Sequence, residues 1–184
     1  MRDDVAQMRR LACVRSMRGF TIIELLIVVA IIGILAAIAV PGLLRARISG
    51  NEASAIGSIR SIVSAEQDYR GLNSGYADSL TALSATCAKL AAPFISPDLN
   101  SNGVIKSGYV FSVVPGTGAT AGPADICGRA TNERFYATAV PQGVGSTGTR
   151  AFAADIGLVI WQNMAGIAPP QPFAAGGTVS ALGR

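Results

Sequence analysis

Met17-Arg18-Gly19-Phe20-Thr21-Ile22-Ile23-Glu24-Leu25 is the stretch that decides how this chain is read. Residues 25–40, which follow it, carry no polar side chain, and the apolar segment 20–44 is long enough to span a bilayer. Glu24 stands inside that segment, four residues past the Gly19–Phe20 junction. An ionisable group in such a place is costly, so it marks a function and calls for a partner. Ahead of the junction, Arg2, Arg9, Arg10, Arg15 and Arg18 stand against Asp3 and Asp4, five cations against two anions, a net of +3 in a chain of +4. Positive charge is retained on the cytoplasmic side of a membrane, so residues 1–19 read as a basic cytoplasmic leader and the helix after them points outward.

A conventional secretory signal would be cut beyond its apolar core, and Ala37 and Ala39 offer an A-x-A pattern there. Pro41 follows at once and the helical pattern continues far past it, which argues against removal of the segment. Gly19-Phe20-Thr21-Ile22-Ile23-Glu24-Leu25-Leu26-Ile27-Val28-Val29-Ala30-Ile31-Ile32-Gly33-Ile34-Leu35-Ala36-Ala37-Ile38-Ala39-Val40-Pro41 resembles the processing site and N-terminal helix of type IV pilins and pseudopilins, and the likeness extends over about 35 residues from Arg18. The resemblance implies that a prepilin peptidase cuts between Gly19 and Phe20, that Phe20 becomes the N-methylated first residue, and that Glu24 is the family's assembly glutamate. It also implies the partners: copies of the chain itself in a helical filament, the peptidase, an inner-membrane assembly platform, and the lipid bilayer before assembly. The precursor and subunit pool would then sit in the inner membrane with the head exported, and the assembled filament would be extracellular.

The chemistry of the residues agrees with this. A cut before Phe20 creates an α-amino group that is cationic near neutral pH. In hydrocarbon its natural partner is a carboxylate, and Glu24 lies one helical turn away on the same face. Paired with a neighbour's amine, Glu24 becomes a register device, because an incoming subunit neutralises the buried charge at only one vertical offset. The plainer alternative is a glutamate snorkelling to the membrane interface.

Three cysteines are present, one of them, Cys13, in the leader. Leu11-Ala12-Cys13 is a faint match to a lipoprotein acylation site, but no apolar run precedes it. Cys87 and Cys127 belong to the exported part, where an oxidising compartment favours a disulfide. Histidine is absent, which removes the commonest acid/base group and metal ligand and rules out a Ser-His-Asp arrangement. No metal and no cofactor are expected, and no catalytic residue is assigned. Residues 98–103, Asp98-Leu99-Asn100-Ser101-Asn102-Gly103, alternate oxygen-bearing side chains as a calcium loop does, but the later bidentate glutamate is missing and Tyr109 stands in its place. A turn built of turn-favouring residues is the preferred reading. The pI of 9.3 owes much to the leader, and the arginines of the helix are mixed with acids, so nucleic acid is not expected as a partner. No small-molecule substrate is expected either.

Beyond residue 44 the pattern turns amphipathic. Ile48, Ala55, Ile56, Ile59, Ile62, Val63 and Tyr69 recur at helical offsets. Arg45, Arg47, Arg60 and Arg70, together with Glu52, Glu66 and Asp68, are assigned to the opposite face. Pro41 and Gly42 predict a kink or a melted stretch near the outer end of the apolar run. Residues 71–75 end the helix, residues 72–107 read as an irregular connection with a short helix within 79–90, and strands are expected at 108–114 and 134–140, with a hairpin over 150–161. The tail from Pro169, rich in Pro, Gly and Ala, reads as loose.

The expected architecture is α+β: a long N-terminal helix packed on a small antiparallel sheet of about four strands. Its parts are the leader 1–19, the transmembrane and assembly helix 20–44, the amphipathic half 45–71, a globular head 72–168 and the tail 169–184. The function that follows is that of a non-enzymatic subunit of a type IV pilus. The alternatives are a pseudopilin of a type II secretion system and a signal-anchored domain that never polymerises.

Overall fold

The computed structural model of the chain describes residues 19–182. Residues 1–18 of the leader, with its arginines and Cys13, therefore lie outside the described residues. Helix α1 (Ile22–Asn73) carries Pro41 inside it. The chain divides into two compact units, residues 1–41 and 42–184.

In the first unit, every large apolar side chain from Phe20 to Val40 is between 47% and 85% exposed. A helix that is apolar all round and buries nothing against its own chain is made for another apolar medium. One helix here is long and apolar enough to cross a membrane. The chain stays helical through Pro41 and Gly42. Proline deletes a single helical hydrogen bond, and the bonds on either side hold the turn.

In the second unit, α1 continues as one wall of the core. Strands follow at β1 (Tyr76–Ala77), β2 (Val104–Lys106), β3 (Tyr109–Pro115), β4 (Thr131–Asn132), β5 (Phe135–Pro141), β6 (Ala151–Asp155), β7 (Ile160–Asn163) and β8 (Val179–Ala181), with the five-residue helix α2 (Leu80–Ser84) after β1. The main sheet is antiparallel with order β2-β3-β5-β6-β7-β8, and β1 pairs with β4 separately. The sheet thus has six strands where the sequence suggests about four. The two extra strands lie at its edges and are three residues long, too short to carry a periodic signal. β2 joins β3 through Ser107 and Gly108, both at positive φ, the backbone of a tight primed hairpin turn.

The core forms where strict alternation meets the helix stripe. Tyr109, Phe111 and Val113 of β3, Phe135, Ala137 and Ala139 of β5, and Phe152 and Ala154 of β6 are buried in one cluster with Ala55, Ile59, Ile62, Ala65 and Tyr69 of α1. Alanines facing one another at Ala137↔Ala154 keep the middle of the sheet thin, with bulky Phe152 opposite Ala139. The tail is not loose over its described length. Phe173 stacks on Trp161 at 5.4 Å and meets Tyr136 at 6.0 Å, and Val179–Ala181 closes the sheet edge against β7. A Pro/Gly/Ala composition hides this because one aromatic and three paired residues are enough to hold the segment.

Candidate functional site

The site foreseen at the start of the apolar helix is a helix N-terminus. Four backbone N–H groups there have no partner within the helix. Thr21 precedes the first helical residue, and its hydroxyl accepts from the Glu24 backbone N–H at 3.3 Å. Glu24 returns the contact: its Oε2 accepts from the Thr21 backbone N–H at 3.0 Å and from the Thr21 hydroxyl at 2.7 Å. This reciprocal pair is a capping box, Thr-x-x-Glu, which satisfies two orphan donors with two side chains. The signal is present in Thr21-Ile22-Ile23-Glu24, where the charge of Glu24 in an apolar segment overshadows its capping role. Gly19 has open space where a Cβ would stand, and Phe20 is 74% exposed, so the junction stands clear of the rest of the described residues.

A processing-type junction, a capped glutamate and an exposed apolar helix occur here within two dozen residues. Residues 14–40 match the family model described as the prokaryotic N-terminal methylation motif. The type IV wide pilus major component PilA4 of Thermus thermophilus is 37% identical over 92 residues, 47% of this chain and 70% of that protein. The chain belongs to the type IV pilin and pseudopilin family. The type IV major pilin protein PilA of Myxococcus xanthus is 41% identical over 61 residues, 33% of this chain and 28% of that one. The type II secretion system core protein G of Klebsiella michiganensis is 33% identical over 79 residues, 43% of this chain and 56% of that one. No solved structure matches the chain. Pilins and pseudopilins are structural subunits, and the resemblance read from residues 19–41 is confirmed.

The head holds α1 by polar contacts where the sequence pattern suggests solvated acids. Glu52 and Glu66 lie on the buried stripe with Ala55, Ile59, Ile62 and Tyr69, not on the opposite face. The spacing 52, 55, 59, 62, 66, 69 is itself a helical stripe, and treating every acid as solvated obscured it. Glu52 is saturated by the β5–β6 loop. Its Oε1 accepts from Thr149 N, Thr149 Oγ1 and Arg150 N at 2.7–3.1 Å, and its Oε2 accepts from Arg150 Nε and Nη2 at 2.8 and 2.6 Å. Burial pushes its carboxyl up, but the Arg150 and Thr149 donors outweigh that and hold it below the ordinary carboxylate range. Glu66 is the opposite case. It is fully buried, its Oε2 accepts from Ala77 N at 2.9 Å, and its Oε1 has no partner. Burial outweighs that one bond, with a smaller push from Asp78, and raises its carboxyl to about 8.

Cys87 and Cys127 form a disulfide, Cα atoms 6.0 Å apart. The loop carrying Cys127 is knotted around buried Asp125. This carboxylate accepts from Tyr69 Oη at 2.8 Å, from the Cys127 and Arg129 backbone N–H groups, and from Arg129 Nε at 2.6 Å. Arg129 Nη1 donates onward to the carbonyls of Ala82 and Ala85, at the end of α2. The oxygens of residues 98–103 are engaged within the chain. Asp98 pairs with Lys106 at 2.7 Å, and Asn102 Oδ1 accepts from Leu80 N and Val113 N while its Nδ2 donates to Val113 O. Here the asparagine acts as a bracket between β3 and α2.

Proposed function

We propose that this pilin-family chain is a major-type subunit of a type IV pilus, polymerising through its N-terminal helix into a surface filament, with motility, adhesion or uptake carried by its partners. One observation carries the reading. The apolar half of α1 buries nothing within its own chain, and its sole acidic group sits one turn past a processing junction. In this reading the peptidase cuts between Gly19 and Phe20, and Phe20 becomes N-methylated. Glu24 leaves its cap to receive the α-amine of a neighbouring subunit. Pro41 and Gly42 form a weak point at which the helix bends or loosens as subunits pack. The subunit waits in the inner membrane with its head exported, is handed to an assembly platform there, and ends outside the cell.

A second reading, a pseudopilin building a short periplasmic filament for type II secretion, draws on the likeness to core protein G. Electron microscopy of sheared surface material separates the two. Long filaments containing this chain are expected, and their absence alongside a secretion defect in a deletion strain favours the pseudopilus. Intact mass and N-terminal sequencing test the processing step that both readings share: the exported protein should begin at methylated Phe20, and Gly19→Leu should leave the precursor uncut. A chain beginning after Ala39 would overturn both readings.

A further inference from the structure

The disulfide is not the only tie between the two segments that it joins. Cys87 and Cys127 are 40 residues apart in sequence, and each sits in a turn closed by its own backbone. Cys87 N donates to Leu90 O at 3.1 Å, and Leu90 N donates back to Cys87 O at 2.9 Å. Around Cys127, Asp125 N donates to Arg129 O and Gly128 N donates to Asp125 O, both at 2.9 Å. This second turn is fixed to α1 without help from sulfur. Tyr69 Oη donates to Asp125 Oδ2, and Ile126 N donates to Asn73 Oδ1 at 3.0 Å. The first turn follows α2, where Phe94 N donates to Leu83 O at 2.9 Å and closes residues 84–93 into a loop at its base.

Arg129 bridges the two turns. Its Nε holds Asp125 at 2.6 Å, and its Nη1 reaches Ala82 O at 2.9 Å and Ala85 O at 3.3 Å, the latter two residues before Cys87. Disulfide and guanidinium therefore span the same gap, one with a covalent bond and the other with hydrogen bonds. The Asp125 side chain is fully buried, and Arg129 Nη2 is buried with no hydrogen-bond partner among the described residues. A buried ion pair with an unsatisfied N–H is a poor source of net stability, and the best-attested use of such a pair is to fix geometry. What this pair fixes is the placement of the Cys127 turn against the segment that carries Cys87. None of these bonds involves sulfur, so all of them are open to the chain while both cysteines are thiols.

We propose that the Asp125–Arg129 clamp brings the two cysteine turns together in the reduced chain, so that the Cys87–Cys127 bond closes last, as a lock on a head that is already folded. Closure follows ordinary thiol–disulfide exchange. One cysteine thiolate attacks an oxidant that is itself a disulfide and releases one of its thiolates, and the other cysteine then attacks the mixed disulfide and displaces the second. Two protein thiols become one S–S bond while the oxidant's S–S bond becomes two thiols. The clamp acts on the second, intramolecular step, whose rate is set by how well the two cysteines are held in reach of each other. The device serves a pilus subunit and a pseudopilin alike.

The test uses the full chain in detergent, with Cys13→Ser so that two cysteines remain, and a lysine-specific protease as the probe. The chain has two lysines: Lys89, inside the Cys87 segment, and Lys106, in β2, which reports on the sheet. A bondless variant carries Cys87→Ala with Cys127→Ala. A clampless variant carries Asp125→Asn with Arg129→Met, which removes both charges and strands neither. Cleavage tracks the population of the opened segment, so each variant alone should be cut after Lys89 within several-fold of the wild-type rate. The two combined should be cut there about a hundredfold faster, with Lys106 still protected, because two ties across one gap are strongly coupled. Starting from reduced protein, oxidised glutathione should close the bond about tenfold more slowly in the clampless chain than in the wild type. A bondless variant cut as fast as the combined one, or cut at both lysines, overturns the proposal, because the bond and not the clamp then holds the head. So do a clampless variant cut that fast on its own, a combined variant cut as slowly as the wild type, and equal rates of closure.

Discussion

The two halves of α1 share one backbone and solve different problems. Residues 22–41 bury no side chain, whereas from Glu52 to Asn73 the same helix buries nine. Its three glutamates follow suit. Glu24 is exposed and held only by its own helix cap, Glu52 is saturated by five donors from a distant loop, and Glu66 is buried with one oxygen unpaired. The two glutamates on the head side of the helix are spent on folding and are not available to another molecule. Of the three glutamates, Glu24 is the exposed one, held by its own cap alone. In the reading proposed above, folding and assembly are therefore written on separate stretches of one element, and substitutions should separate them.

The sharpest break is at Glu24. Glu24→Leu should eliminate filaments while leaving head stability and membrane insertion intact, as read by shearing, microscopy and denaturation of the detergent-solubilised chain. Two companions sharpen it. Glu24→Gln keeps a capping-box residue without its charge, and Thr21→Ala keeps the charge without the cap. If the charge sets register, Glu24→Gln assembles as poorly as Glu24→Leu, and Thr21→Ala assembles nearly normally. The reverse order would make the cap the important contact.

The next largest effect belongs to Glu66. Its folded carboxyl is raised to about 8, so the folded state holds a proton that the unfolded chain releases above the ordinary glutamate range. Stability should therefore fall as pH rises from about 4.5 to 8, by on the order of 5 kcal/mol. Glu66→Gln should flatten that slope, and an unchanged slope in the variant would place the titration elsewhere. Glu52 has the opposite sign: its carboxyl is held low, so its contribution is present above the ordinary glutamate range and is lost as pH falls through the folded value. Glu52→Ala strands Arg150 and two loop N–H groups and should cost about 3 kcal/mol in chemical denaturation without altering the processing of Gly19–Phe20. The smallest effect is expected at Ser79, whose hydroxyl caps the short helix α2 by accepting from Ala82 N at 3.3 Å. Ser79→Ala should cost about 1 kcal/mol.

What could be read from the sequence follows from signal length. The apolar run is long and unbroken, so the membrane-type helix and its odd glutamate were legible. β3 and β5, seven residues each, β5 alternating throughout and β3 over its first five residues, were legible too. The three-residue strands and the ordered tail were not, because their pairing is set by neighbours far away in sequence. The buried acids were missed for a related reason. Thr149 and Arg150, which satisfy Glu52, lie 97 and 98 residues away, and no local rule connects them. The turn at residues 98–103 showed its oxygens but not the β3 backbone that uses them.

The sheet ends on one side in β2 and on the other in β8, each three residues long, with Lys106 on the first and Gly176 and Gly177 leading into the second. Long open strand edges invite strands from other molecules to add on. In a chain whose copies are meant to crowd together, that invitation would be a hazard, since heads joined edge to edge would grow into a cross-β deposit in competition with the ordered polymer. Short, charged or glycine-flanked margins offer little edge for such pairing, which under the reading proposed above leaves joining to the N-terminal helix.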